Sequence, residues 1–210
     1  MQILSIFAAL AAAYQLAPAS AEMENCNDDA QYGPFKISVF LHRGGDPGIN
    51  INYRIPRSHI GPTKDDLGRD GPNINFGFRA PLSGDGYHSI HFYNFRKLFG
   101  KERFPVHAMT FVCGKGVTLI GDTSIQPYPL NGIFVRESLL RGRECMRSLR
   151  RSGYYKISFE ELEGPKRAVR IEGKADFAGV IDKAERMARH RSAMAKAGRC
   201  ILNPPPPPPT

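Results

Sequence analysis

The sequence predicts an α+β protein with a compact antiparallel β-sheet core, a basic C-terminal helix and stabilising disulfides. Three observations support this fold class. Short segments of alternating apolar and polar residues follow one another at turn-length intervals, one long segment of helix-forming residues lies near the end, and four cysteines are present. Alternation with a period of two is typical of strands that bury one face. Apolar residues that recur with helical periodicity are typical of a helix that buries one stripe of its surface.

The strands are predicted from this alternation. Phe35–Leu41 places Phe35, Ile37, Val39 and Leu41 on one face. Residues 49–55 and 74–78 alternate in the same way, and Gly114 to Gly116 read as the turn of a hairpin. The further expected strands are 87–95, 108–113, 117–120, 133–135, 154–159 and 168–171.

The chain divides into four segments by composition. Residues 1–21 are expected to be a signal peptide, and 22–175 a β-rich secreted domain that begins with a polar lead-in over 22–34. Residues 176–202 are expected to form a basic amphipathic helix, with apolar residues near one face and Lys, Arg and His around the rest. Residues 203–210 contain six consecutive prolines, which indicate a stiff polyproline II tail.

The first segment carries the features of a secretory signal. Residues 1–21 contain no Lys, Arg, Asp or Glu, and they end in Ala19-Ser20-Ala21, a pattern that signal peptidase accepts. We therefore expect a secreted, extracellular protein without a membrane anchor. The alternative is a buried N-terminal helix.

The cysteines are Cys26, Cys113, Cys145 and Cys200. An even number in an oxidising compartment favours two disulfides, and three pairings are open. The absence of a Cys-x-x-Cys motif argues against structural zinc. His88 and His91 are three residues apart, without a neighbouring cysteine or carboxylate cluster, so we expect no metal site and no cofactor.

The formal net charge of +9 indicates a polyanionic partner, such as nucleic acid, anionic lipid or acidic polysaccharide. The segment 136–151 is its densest part. Arginine forks suit phosphate oxygens, and neighbouring aromatic rings can stack on bases. The predicted polyanion-binding residues are Arg141, Arg143, Arg147, Arg150, Arg151, Tyr154 and Tyr155.

Two ordinary interpretations of the basic segments remain open. Residues 136–151 can form a helix that packs on the sheet through Leu139, Leu140, Met146 and Leu149 while its arginines face solvent. The run 183–199 can be an amphipathic helix, or a nuclear import signal if the protein enters a host cell.

A resemblance to a known family involves residues 86–106. Gly86-Tyr87-His88, then Phe92, Asn94 and Phe95, then Arg103-Phe104-Pro105-Val106 resemble the Tyr-Pro-His-aromatic-Asn stretch and the Glu-aromatic-Pro-Ile strand of one group of enzymes. These enzymes are the secreted fungal guanyl-specific ribonucleases, together with the ribonuclease-like effectors of plant-pathogenic fungi. The proline is missing here, and Arg103 stands where the family has its catalytic Glu.

The resemblance implies a site for RNA cleavage through a cyclic phosphate. That reaction needs a base, an acid and a cation for the phosphorane charge. The matching candidates are His88 or His91 with Glu102, and Arg136 as the cation. The family has a second histidine near the end of its domain, and this chain has none between His107 and His190. A ribonuclease-shaped binder with lost or altered catalysis is therefore expected.

The profile as a whole predicts a small secreted basic effector, of fungal type, that binds a host macromolecule such as RNA or another polyanion. Whether it is an enzyme is left open. One alternative is an active cyclising ribonuclease. The other is a surface-associated or cell-wall protein whose segment 204–209 docks on an aromatic groove. The oligomeric state and the host compartment are not predicted by the sequence.

Overall fold

The computed structural model describes residues 24–42, 46–61, 71–82, 88–94, 106–122, 132–134, 138–161 and 170–201. Its elements are β1 (Glu24–Asn25), β2 (Asp28–Tyr32), β3 (Phe35–Leu41), β4 (Pro47–Arg54), a 3₁₀ turn (Arg57–His59), β5 (Asn73–Arg79), β6 (His88–Tyr93), β7 (Val106–Cys113), β8 (Val117–Asp122), β9 (Gly132–Phe134), α1 (Ser138–Ser152), β10 (Tyr154–Glu161), β11 (Arg170–Lys174), α2 (Phe177–Lys196) and β12 (Cys200–Ile201).

The larger sheet has six antiparallel strands in the order β2-β3-β4-β5-β6-β9. Strands β2 to β6 form a meander, since each pairs with its neighbour in sequence. Ile37, Ile51, Phe76 and Ile90 lie in one row across four strands, and each is at most 1% exposed. The predicted alternation therefore buries one face of this sheet.

The smaller sheet has four antiparallel strands in the order β11-β10-β7-β8. Ile171, Ile157, Phe111 and Leu119 form a row across it, and all four are fully buried. A bridge between Ile60 and Ile171 links the segment after β4 to the edge of this sheet.

The helices fill the space next to the sheets. The Asp176 carboxylate caps α2 by accepting a hydrogen bond from the Gly179 N–H at 2.8 Å. Helix α2 packs on β3 and β4 through the buried Phe177, Val180, Ile181, Ala184 and Ala188. Helix α1 contacts β6, β7, β8 and α2, and buries Cys145, Met146 and Leu149.

Phe177 marks the point where the elements converge. Its ring lies 5.3 Å from Phe35, 5.5 Å from Tyr53 and 5.6 Å from Phe76, all on the larger sheet. It also lies 6.2 Å from the ring of Tyr155 on the smaller sheet. Edge-to-face packing of this kind adds about 0.5–1.5 kcal/mol per pair beyond burial. One core therefore holds both sheets and the start of α2.

Two disulfides resolve the three open pairings. Cys26 is bonded to Cys200, beside the short parallel pair β1–β12, and Cys113 is bonded to Cys145. The first joins the beginning and the end of the described chain. The second ties the end of β7 to the middle of α1.

The predicted α+β class with an antiparallel core and two disulfides is confirmed. Strand β2 was missed: residues 22–34 were expected to be a polar lead-in, and this was wrong. Only one side of β2 pairs within the sheet, with β3, so Asp28 and Asp29 are tolerated at an edge. The predicted signal peptide at 1–21 and polyproline tail at 203–210 lie outside the described residues. Neither described helix is long and apolar enough to cross a membrane.

Candidate polyanion-binding groove

A groove of about 1070 Å³ lies between the C-terminal half of α1, the turn from β7 to β8 and the adjoining ends of β10 and β11. Its charged and aromatic lining residues are Lys115, Glu144, Arg147, Arg151, Tyr154 and Lys174. Four of these six are cations and one is an acid. We call this surface the basic groove.

Each cation reaches the groove by a simple structural route. Arg147 and Arg151 are four residues apart on α1, so they share one helix face. Lys115 lies in the turn between β7 and β8. Lys174 is the last residue of β11 and is the register partner of Tyr154 on β10. Three separate parts of the sequence therefore place positive charge around one space.

The turn before β8 is held against α1 by backbone geometry. Gly114 has a φ of +63° and donates its N–H to the Tyr154 carbonyl at 2.8 Å. A Cβ at Gly114 would lie 2.9 Å from the Ser148 carbonyl oxygen, so only glycine fits without a shift. The Cys113–Cys145 disulfide holds the same two elements together. The turn that carries Lys115 is thereby held beside α1.

The cations of the groove differ from the other arginines of α1 in their partners. Arg141 pairs with Glu144 at 3.3 Å and Arg150 with Asp182 of α2 at 2.6 Å. Within the ranges that the structure describes, no ion pair involves Arg147 or Arg151, and both are exposed. These two guanidinium groups are therefore available to an anionic ligand.

Tyr154 adds a partly exposed aromatic ring to the groove. Partial burial and the neighbouring Glu172 carboxylate raise the pKa of Tyr154, while Arg170 opposes this shift. The phenol is therefore protonated at neutral pH and can donate a hydrogen bond. Its ring lies among the residues that line the groove.

The other predicted polyanion-binding residues lie elsewhere. Arg141 also donates to the Thr118 carbonyl at 3.2 Å, and Arg143 is partly buried. Arg150 faces α2. Tyr155 points into the core and is 0% exposed, so its ring does not reach a ligand on the surface. Since side chains alternate along a strand, Ile157 and Phe159 could have indicated that Tyr155 faces inward.

The predicted catalytic residues are not brought together by the described part of the chain. His88 is buried and stacks with Phe78 at 6.2 Å. His91 is half-buried on the opposite face of β6, where it stacks with Tyr93 at 6.1 Å. Glu102 and Arg136 lie outside the described residues. Residues three apart on a strand face opposite sides, so the two histidines cannot share one cleft.

Sequence reasoning missed Lys115 and Lys174. The Gly-Lys-Gly turn was recognised as a hairpin, but nothing in the sequence places it beside α1. Among the described residues, no group of three or more His, Cys, Asp or Glu side chains is placed to hold a metal ion.

In comparisons with known proteins, no family model, no curated protein and no solved structure matches this chain.

Proposed function

We propose that this chain is a secreted basic effector-type protein that acts on a host as a non-catalytic binder of a polyanion, with single-stranded RNA as the polyanion. The basic groove is its binding site. The observation that carries the proposal is the pair Arg147 and Arg151, which project from one face of α1 without an ion pair in the described part of the chain.

The arrangement suits a phosphodiester backbone. Two guanidinium forks on one helix face can bind successive phosphate oxygens, and Lys115 and Lys174 add point charges on the other walls. A single strand exposes its bases, and Tyr154 offers a ring beside the arginines. An acidic polysaccharide would use the same cations, but it has no aromatic base with a π-face to stack on the Tyr154 ring, which is why RNA is preferred.

The assignment to a secreted host-directed protein rests on the sequence profile. The signal-like residues 1–21, the net charge of +9 and the paired cysteines support it. Two disulfides are compatible with an oxidising compartment outside the cell.

The test is binding of a short fluorescent oligouridylate by the purified protein at several salt concentrations. Each neutralised phosphate contributes about 0.7 to the slope of log affinity against log salt for a single strand. The double variant Arg147→Ala/Arg151→Ala should weaken binding and reduce that slope by about 1.4. The single variant Tyr154→Ala should also weaken RNA binding, by about 1–3 kcal/mol, through the loss of one stacking contact.

The matched control is Arg150→Ala, which removes the same residue type from the same helix but outside the groove. Its RNA affinity should stay close to that of the unaltered protein. Equal affinity of the double variant and the unaltered protein would contradict the proposal. An equal loss of RNA affinity in Arg150→Ala would show that binding reflects only non-specific attraction by the net positive charge.

The ribonuclease alternative gains no support from the described residues, since His88 and His91 face opposite sides of β6. It still makes a direct prediction: release of cyclic-phosphate ends from RNA, abolished by substituting both histidines. The surface-docking alternative depends on residues 204–209, which lie outside the described chain.

A further inference from the structure

Helix α2 presents a row of cations to solvent, on the side opposite to the one that packs on β3 and β4. The row consists of Arg186, Arg189 and Lys196, and all three residues are exposed. Because they recur at intervals of three and seven residues, they lie along one side of the helix. The row is about 15 Å long at the rise of an α-helix. We call this surface the α2 basic face.

The cations of the α2 basic face differ in their contacts from other cations of the same helix. Lys183 donates a hydrogen bond to the Gln31 carbonyl at 2.9 Å, and Arg191 pairs with Asp28 at 3.1 Å. Both of these side chains are therefore turned toward β2. Among the described residues, no ion pair involves the three cations of the α2 basic face. Their charges are available to an anionic ligand.

The acids of α2 do not cancel this charge. Residues 177–201 contain two acids, Asp182 and Glu185. The Glu185 carboxylate accepts a hydrogen bond from the Leu82 N–H at 2.9 Å, so it is directed toward the segment after β5. The Asp182 carboxylate pairs with Arg150 of α1 at 2.6 Å. Both carboxylates therefore have partners within the protein, and the α2 basic face keeps its positive charge.

The ion pair between Arg150 and Asp182 connects the α2 basic face to the basic groove. On α1, Arg150 is three residues from Arg147, which lines the groove. On α2, Asp182 is four residues from Arg186. Residues at these spacings are neighbours on a helix surface. The two paired side chains are 41% and 44% exposed, so solvent reaches the whole path. A strand that leaves the groove past Arg147 therefore meets the α2 basic face next.

We propose that the α2 basic face extends the RNA-binding site. A single strand held in the basic groove continues across the Arg150–Asp182 pair and along α2. This inference rests on the proposed function and gives its site a second part. A nucleic-acid strand carries one phosphate per nucleotide in a line, and the cations of α2 also stand in a line. The groove provides the ring of Tyr154 for stacking, whereas the α2 basic face binds the phosphate backbone.

The experiment compares fluorescent oligouridylates of four and twelve nucleotides over a range of salt concentrations. The short probe fills the groove, and the long probe also reaches α2. Each additional phosphate contact adds about 0.7 to the slope of log affinity against log salt, so three cations should make the slope of the long probe about 2.1 steeper. A longer strand also has more binding registers, but these raise the affinity without changing the slope.

The triple variant Arg186→Ala/Arg189→Ala/Lys196→Ala should remove this difference in slope. It should weaken binding of the long probe at least tenfold and leave binding of the short probe unchanged. Alanine is the best helix former, so these exposed substitutions should not lower the melting temperature. The variant Arg186→Lys/Arg189→Lys keeps both charges, and it should keep the slope of the long probe.

The control for net charge is Lys36→Ala/Arg54→Ala/Arg79→Ala. It removes three exposed cations from the outer face of the six-stranded sheet, whereas α2 packs on the inner face. The difference in slope between the two probes should remain in this variant.

The outcomes separate this inference from the proposed function. Equal slopes for the two probes in the unaltered protein would overturn the inference and leave the RNA-binding groove in place. An unchanged slope in the triple α2 variant, or an equal loss of slope in the sheet control, would do the same. Failure of the protein to bind either probe would overturn both proposals.

Discussion

The phenol oxygens of Tyr53 and Tyr155 lie 3.1 Å apart, although the two residues belong to different sheets. Nδ1 of His59 lies 2.8 Å from the Tyr155 oxygen and 3.4 Å from that of Tyr53. Burial raises the pKa of Tyr53 to about 12 and also raises that of Tyr155, so both phenols stay protonated. These three side chains form a polar junction, the Tyr–Tyr–His cluster, within the shared core.

Tyr155→Phe should lower the free energy of unfolding by about 1–3 kcal/mol, because it leaves the buried Tyr53 hydroxyl without its closest partner. Urea denaturation followed by circular dichroism measures this difference. Tyr154→Phe is the matched control at the neighbouring position. Tyr154 is partly exposed, so removal of its hydroxyl should lower the free energy of unfolding by less than about 0.5 kcal/mol. Equal losses in both variants would contradict a structural role for the cluster.

The protein should lose stability as the pH falls below 6.5. Burial lowers the pKa of His59 and His91 below the ordinary 6.5, so the unfolded chain binds more protons than the folded protein at these pH values. The free energy of unfolding is therefore full above pH 6.5 and falls as the pH decreases toward the folded-state values. The lowered pKa values of Asp29 and Asp176 act only below their ordinary value of 3.8.

Urea midpoints measured at several pH values test this. His59→Gln should flatten the dependence, since a protonated His59 can no longer accept the Tyr155 hydroxyl at Nδ1. His190→Gln, at an exposed position on α2, should leave it unchanged. A pH dependence that survives in both His59→Gln and His91→Gln would show that other groups cause it.

Gly114→Ala should destabilise the protein by about 2–3 kcal/mol, because it combines a positive φ with a backbone clash at Ser148. Gly116→Ala is a control two residues away, where a Cβ would meet nothing within 4 Å. It should be close to neutral. Thermal melting distinguishes the two, and similar melting temperatures would show that the turn yields to accommodate the methyl group.

Removing the Cys113–Cys145 disulfide by two alanine substitutions should cost about 4 kcal/mol on the chain-entropy estimate for a separation of 32 residues. It should also weaken binding at the basic groove, because the bond fixes Lys115 beside α1. The corresponding Cys26→Ala/Cys200→Ala variant should lose stability while the groove keeps its affinity. Loss of binding in Cys26→Ala/Cys200→Ala but not in the Cys113–Cys145 variant would show that the other disulfide supports the groove.

The sequence predicted most of the sheet core because alternation depends only on local pattern. Phe35–Leu41 was predicted with its true boundaries, and the hairpin around Gly114 to Gly116 was also found. Strand β2 was missed because Asp28 and Asp29 at an edge conceal the pattern. Strand β11 extends to Lys174, beyond the predicted 171, since pairing with β10 carries it further.

The candidate site was only partly predictable. Arg147 and Arg151 were found because arginine is dense in that segment. Lys115 and Lys174 join them through tertiary contacts, which no local pattern contains.

The Cys26–Cys200 bond has a mechanical consequence. It joins positions separated by 174 residues, and β1 and β12 lie side by side next to it. A tensile force applied to Glu24 and Ile201 would pass through this covalent bond and bypass the chain between the two cysteines. Both sheets and both helices would carry no load. Reduction of this one bond would transfer the force to the sheets and helices.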